Sequence, residues 1–229
     1  MENEQFEIFH KILAKLNDSG SLSELVLIGS WCLPIYSKIY SGNTEIQMLR
    51  TKDIDFLVKD PRNVRKPVNI DLALQEIGFE PTFDASSVLI KYDFNGFDIE
   101  FLSARIRGNE KVIKIPKLSI TAQVLNYMEI AVKYAMETEY MGIKLKIPEL
   151  PAYTLHKAIV QTLRKNEAKK EKDAATVAGL GRLISELPDL QTRTQQIFSE
   201  FPKSWQKIVL KMVKIHSPEL NKLLNKAIF

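Results

Sequence analysis

The alternation of apolar and polar positions divides the chain into a first part of mixed helices and strands and a last part that is helical throughout. Phe6, Phe9, Ile12, Leu13 and Leu16 recur at helical spacing and predict a helix over residues 3–17, ended by Asp18-Ser-Gly20. Leu25-Val-Leu-Ile28 is a short, wholly apolar run of the kind a buried strand shows, and it leads straight into Gly29-Ser30. A helix is expected next, with Ser30 as its N-cap and Pro34 near its first turn, where a missing N–H costs least. Residues 41–51 read as a loop, 53–59 as a strand and 69–77 as a short helix. Extended segments follow near 79–83 and 87–94. Asn95-Gly96 then marks a type I′ hairpin turn, because both central residues of that turn need positive φ, and Phe97–Leu102 is the returning strand.

Beyond the hairpin, residues 103–117 read as a loop rich in Arg105, Arg107, Lys111, Lys114 and Lys117, either facing a substrate or simply solvated. The apolar runs 124–135 and 143–147 are both read as strands, with Met128, Met136 and Met141 as core residues. Pro148–Pro151 is the expected domain boundary, giving an α/β domain over 1–150 and a helical domain over 151–229. In the second, Leu155, Ala158, Ile159 and Leu163 share a helical face. Segments 190–200, 203–215 and 218–227 complete a bundle with Phe198, Trp205, Ile208 and Val209 in its core. Gly179-Leu-Gly181 lacks the preceding strand and third glycine of a phosphate loop, so a break or close contact within a helical region is expected there. The fold class is α/β (α+β): a mixed sheet with flanking helices, then a helical bundle.

The alternating strand is where chemistry enters. Successive strand side chains point to opposite faces, so Asp53 and Asp55 stand side by side while Ile54 and Phe56 face the other way. Two neighbouring carboxylates disfavour each other's ionisation and call for a proton, a cation or open water. A strand edge dipping into solvent is the plain explanation, and Mg²⁺, which binds through one or two carboxylates plus substrate phosphates, is the chemical one. Asp98 and Glu100 repeat the pattern on the later strand, and two acid-alternating strands, each otherwise apolar, favour the metal. Gly29-Ser30 between strand and helix suits a phosphate: glycine allows close approach, the hydroxyl can reach a phosphate oxygen, and a helix start offers free N–H groups.

Composition changes the picture in two respects. Residues 1–149 hold 18 Lys and Arg against 21 Asp and Glu, net −3, whereas 150–229 hold 14 against 7, net +7. An acidic, metal-seeking half beside a basic half suits a polyanion such as a nucleotide or RNA, although solvated lysine faces would look the same. Lys203, Lys207, Lys211 and Lys214 fall on one helical stripe. The single cysteine, Cys32, rules out an intrachain disulfide and a cysteine-rich zinc site. His10, His156 and His216 lack metal-ligand spacing and read as structural or surface residues. Absence of an apolar run of about eighteen residues, and an acidic start at Met1-Glu-Asn-Glu, lead to the expectation of a cytoplasmic chain without a membrane partner.

Gly29-Ser30, Asp53-x-Asp55 and a later strand acid at Glu100 or Asp98 resemble the motif set of the nucleotidyltransferase superfamily, the polymerase-beta-like fold. The resemblance implies a mixed sheet whose three carboxylates bind two Mg²⁺ ions and transfer a nucleoside monophosphate from an NTP, ATP among them. Arg50-Thr-Lys-Asp-Ile-Asp55, Ile99-Glu-Phe-Leu102 and Leu155-His-Lys157 look like a bacterial nucleotidyltransferase-like group. Lys157, Arg164-Lys165 and Lys172-Asp173 are similar to motifs of the abortive-infection toxins of type IV toxin-antitoxin systems. On that resemblance Glu100, with Asp98 as the alternative, is the third metal ligand, and Lys157 and Asp173 belong to the nucleotide site. The implied acceptor is tRNA and an implied partner is an antitoxin protein, with no sequence-specific binding to DNA. The alternatives are an antibiotic-type enzyme acting on a small molecule and a non-catalytic nucleotide- or RNA-binding module.

Overall fold

The computed structural model describes residues 2–40, 52–84, 88–105 and 108–226, so the loop expected over 41–51 lies outside the described residues, as does Arg107. By internal contacts the chain forms two units: Met1–Cys32 with Leu49–Pro148, and Leu33–Met48 with Glu149–Phe229.

In the first unit, helix α1 (Glu2–Asp18) buries Phe9, Ile12, Leu13 and Leu16 completely, each such side chain worth about 1.5–3 kcal/mol of transfer free energy. Strands β1 (Leu25–Ile28), β2 (Asp53–Val58), β3 (Glu80–Asp84), β4 (Leu89–Phe94) and β5 (Phe97–Ala104) form a mixed sheet in the order β1-β2-β5-β4-β3, and β7 (Ile120–Leu125) pairs β5 on a branch that carries β6 (Val112–Ile115). Between β1 and β2 the chain makes a short 3-10 turn, Gly29–Trp31, before α2 (Cys32–Ile39), so Ser30 lies inside that turn and is not the expected N-cap. Asn69 caps α3 (Ile70–Gln75), its side chain accepting from the Leu72 N–H. The β4–β5 turn has φ of 54° at Asn95 and 76° at Gly96, the mirror-image turn expected there.

Three further readings of the first unit change. The basic segment 103–117 is partly strand, because β5 runs on to Ala104 and β6 pairs antiparallel with β7, Ile113 opposite Ala122. The run 124–135 is mostly not extended: β7 ends at Leu125, Tyr127 turns the chain at φ 67°, and α4 (Glu129–Lys133) follows. Then β8 (Ala135–Tyr140) and β9 (Ile143–Pro148) make a separate two-stranded sheet, and Met141 at its turn is exposed and not a core residue.

The second unit contains α2 from Leu33 on, α5 (Leu150–Gln161), α6 (Glu167–Glu186), α7 (Pro188–Ser199), α8 (Lys203–His216) and α9 (Pro218–Asn225). Leu155, Ala158 and Ile159 are fully buried, but α5 stops short of Leu163, which is exposed. Phe198 and Val209 are core residues, whereas Trp205 and Ile208 are only half-buried. Gly181 is helical and sits where any Cβ would run into Ser217 Oγ, so it marks a close helix contact, and the glycine pair is helical and not a phosphate loop. No described helix is long and apolar enough to cross a membrane.

Candidate active site

The two faces of the main sheet differ in kind. Ile54, Phe56, Val58, Ile99, Phe101 and Tyr92 bury one face, with Phe56 and Phe101 stacked at 6.1 Å between ring centroids. On the other face, Val26, Ile28, Leu57, Leu102, Met128 and Ala131 form an apolar cluster at the C-terminal ends of β2 and β5. That cluster stops where the acids begin. At the N-terminal ends of the same strands the open face carries Asp53 and Asp55 from β2 and Asp98 and Glu100 from β5.

Pairing register decides how those acids meet. Strands β2 and β5 run parallel with Asp53 opposite Asp98 and Asp55 opposite Glu100, so the two Asp-x-acid patterns lie in matched rows. Strand β4 extends both rows: Asp93 is opposite Asp98, and Lys91 pairs with Glu100. One row thus holds three carboxylates, and the second ends in an ammonium. Asp98, in the middle of the first, is held above the ordinary aspartate pKa by partial burial and then by the Asp93, Asp53 and Glu100 charges, against an opposing pull from Lys91.

Antiparallel pairing of β1 with β2 puts Ile28 opposite Asp55, which delivers Gly29 to the acid end of the sheet. Gly29 has φ 75°, and a side chain there would run into Asp55 Oδ2, so glycine is required both for the turn and for the carboxylate's place against the backbone. Cys32 is buried and donates its thiol to Leu27 O at 3.4 Å, as a small core residue.

The remaining expected site residues lie in the second unit. Lys157 Nζ donates to Asp173 Oδ1 at 2.7 Å, and Arg164 Nε donates to Asp173 Oδ2 at 2.9 Å. Burial would raise the pKa of Asp173, but Lys157 and Arg164 outweigh it and hold the carboxyl below the ordinary range. His156, beside this cluster, is partly exposed as a residue, yet its Nε2 is buried. Burial first, then the Lys157 charge, push it down to about 3, with Asp173 pulling against them and Arg164 adding a lesser push, so the imidazole is neutral.

The sequence model of a family described as nucleotidyltransferase matches residues 7–198, spanning both units. The chain belongs to that nucleotidyltransferase family. Among solved structures, this nucleotidyltransferase is similar to an antigenic nucleotidyltransferase-like protein from Paracoccidioides brasiliensis, with 14% identity, a TM-score of 0.48, and coverage of 93% of this chain and 90% of that one. It is also similar to the antibiotic-resistance factor ANT(2'')-Ia, with 11% identity, a TM-score of 0.41, and coverage of 100% of this chain and 92% of that one. No curated protein matches.

Nucleotidyltransferases generally use NTP substrates and divalent metal ions, and the donor set on the acid face can be held against the needs of such an ion. Among the described residues no three acidic, histidine or cysteine side chains converge as a ready-made cage. Mg²⁺ does not call for one, since it keeps several waters and takes one or two carboxylates together with substrate phosphates. Hard oxygen donors in matched rows, with Asp53 and Asp93 flanking Asp98, fit that kind of site. Lys91 and Asp93 had no signal in the sequence, because neither strand spacing nor motif links β4 to the acids until the hairpin folds back.

Proposed function

We propose that this nucleotidyltransferase transfers a nucleoside monophosphate from an NTP to an acceptor hydroxyl, releasing pyrophosphate, with Mg²⁺ held by Asp53, Asp55 and Glu100. The observation that supports this best is the register: Asp53 and Asp55 lie beside Asp98 and Glu100 on one open face, with Gly29 at the same end. When bound, a pair of divalent ions there would activate the attacking oxygen and steady the leaving pyrophosphate. The acceptor oxygen bonds to the α-phosphorus as the bond to the bridging oxygen breaks, and Glu100 takes the acceptor's proton. Ser30 offers its hydroxyl to a phosphate oxygen. Lys157, oriented by Asp173, is assigned to the nucleotide's phosphates as a point charge.

For the acceptor, the reading is RNA, with tRNA and a neutralising antitoxin protein following from the toxin resemblance. Its physical support is the stripe of Lys203, Lys207, Lys211 and Lys214 on α8, all four exposed. Incubation with each labelled NTP, Mg²⁺ and total RNA, comparing label on RNA, on protein and on an added small hydroxylated antibiotic, tests the reaction. NTP binding without transfer to any of them would favour the non-catalytic module, and label on the small molecule the antibiotic-type enzyme. RNA affinity should fall by roughly 0.7–0.9 log units per log of salt for each phosphate neutralised, and replacing the four lysines should flatten that slope. A salt-independent affinity would count against RNA.

Glu100 and Asp98 are separated by substitution. Glu100→Gln should abolish turnover, whereas Asp98→Asn should reduce it modestly. Because the raised pKa of Asp98 means that the fold disfavours its ionised form, Asp98→Asn should also raise the melting temperature of the metal-free protein at neutral pH. A dead Asp98→Asn beside an active Glu100→Gln would reverse the assignment.

A further inference from the structure

Glu100 is not an open ligand. Its Oε1 accepts from Lys91 Nζ, and the pair is partly shielded, with 36% of the Lys91 side chain and 21% of the Glu100 side chain exposed. Lys91 comes from β4, one strand beyond the acids, and stands at the end of the row Asp55–Glu100, while the adjacent row is Asp53–Asp98–Asp93. Asp53 and Asp98 are close enough to act on its charge as well. The Lys91 ammonium therefore sits among carboxylates of β2 and β5. Like charges this close cost stability unless a cation settles them, and in this arrangement lysine supplies that cation from the chain itself.

We infer that Lys91 is a built-in counter-cation for the acid face, occupying Glu100 until a divalent ion arrives, so that metal binding there proceeds by displacing an ammonium. This rests on the reading of Glu100 as a metal ligand. It separates two functions that one ion pair would otherwise merge: Lys91 holds the metal-free sheet together, and by the same contact it weakens metal binding. A plain structural pair would do only the first. Lysine suits the displacement, since its flexible stem lets the ammonium swing to water or to a phosphate without disturbing β4.

Titration with Mn²⁺ alone, followed by the electron paramagnetic resonance signal of the free ion, tests the inference on the full chain. Lys91→Met should bind Mn²⁺ roughly fivefold tighter or more, a factor matching the upper end for a partly exposed ion pair, while Lys91→Arg, which keeps the pair, should stay near wild type. The metal-free Lys91→Met protein should melt lower than wild type, and Mn²⁺ should close the gap. If wild type binds Mn²⁺ and Lys91→Met binds it equally or more weakly, the displacement is wrong while the metal reading stands. If neither binds, both fall. A measurement on wild type needs no variant to fold: the side-chain ¹⁵N resonance of Lys91 should move as Mg²⁺ is added, and a resonance unmoved at saturation overturns the inference.

Discussion

Asp55→Asn should remove Mg²⁺-dependent nucleotidyl transfer while leaving the melting temperature near that of wild type. Asp55 is half-buried at the start of β2, paired in register with Ile28 on one side and Glu100 on the other, and its carboxylate lies against the Gly29 backbone. Asparagine keeps the shape that this close approach requires, so packing and strand register survive. It lacks the charge, and an amide is a weak ligand for a hard cation. Loss of a residue that orients a ligand from behind costs about 10- to 100-fold in affinity or activity, and loss of the ligand itself should exceed that. Transfer of label from NTP, measured beside a thermal melt, checks both halves. Wild-type turnover in Asp55→Asn would remove this acid from the site.

Asp173→Ala should destabilise the fold more than any substitution on the acid face, by about 3–5 kcal/mol, the range for breaking a buried ion pair and leaving its partner uncompensated. Both carboxylate oxygens are committed, one to Lys157 and the other to Arg164, and only 4% of the Asp173 side chain is exposed. Lys157 is nearly as buried at 11%, so its ammonium would be stranded, whereas Arg164, at 40%, can turn to water. The pH dependence follows from the lowered pKa of Asp173. A carboxyl depressed in the fold adds stability above its unfolded pKa of about 3.9, and that stability is lost as pH falls through the folded value. The difference in stability between wild type and Asp173→Ala should therefore be full at neutral pH and shrink below about pH 4. Denaturant unfolding at several pH values measures it. A gap that stays constant into acid would mean that Asp173 contributes through packing and not charge.

Lys157→Ala separates the nucleotide role from this structural one. It should weaken binding of a non-hydrolysable NTP by about 1.5–3 kcal/mol, the range for a hydrogen bond to a charged group. Asp173 keeps Arg164 in that variant, so its stability loss should be smaller than in Asp173→Ala. Calorimetric titration giving equal affinities would leave Lys157 as a structural partner only.

Local order decided much of the first unit and can be read directly from residue spacing. Period-two alternation puts Asp53 with Asp55 and Asp98 with Glu100 whatever the strands pair with, and Asn95-Gly96 demands its turn. These are short-range consequences of backbone geometry. The motif set likewise placed the chain in its family. Where local signals were weak or contradictory, the reading failed: α4 has five residues, too few to display a helical period, so an apolar run that breaks at Tyr127 looks extended. Strand β6 is hidden among flanking lysines because its identity comes from pairing with β7 and not from its own pattern.

Only the tertiary structure decided how the acids are matched. The parallel register of β2 with β5 joins residues more than forty positions apart, and a slip of one would have turned one strand's acids to the buried face. The antiparallel register of β1 brought Gly29 to Asp55, and the β4–β5 hairpin brought Lys91 and Asp93 to the same surface. Spacing along the chain carries none of this, because charge partners across a sheet are chosen by strand order and register, which are set by burial of the opposite face. The same holds for Asp173: Lys157 and Arg164 reach it only because α5 and α6 pack together. The sequence by itself offered candidate residues for the chemistry and determined that the chain belongs to a nucleotidyltransferase family. The fold determined their neighbours, and through those neighbours their charge, because electrostatic coupling depends on distance in space and not on position in the chain.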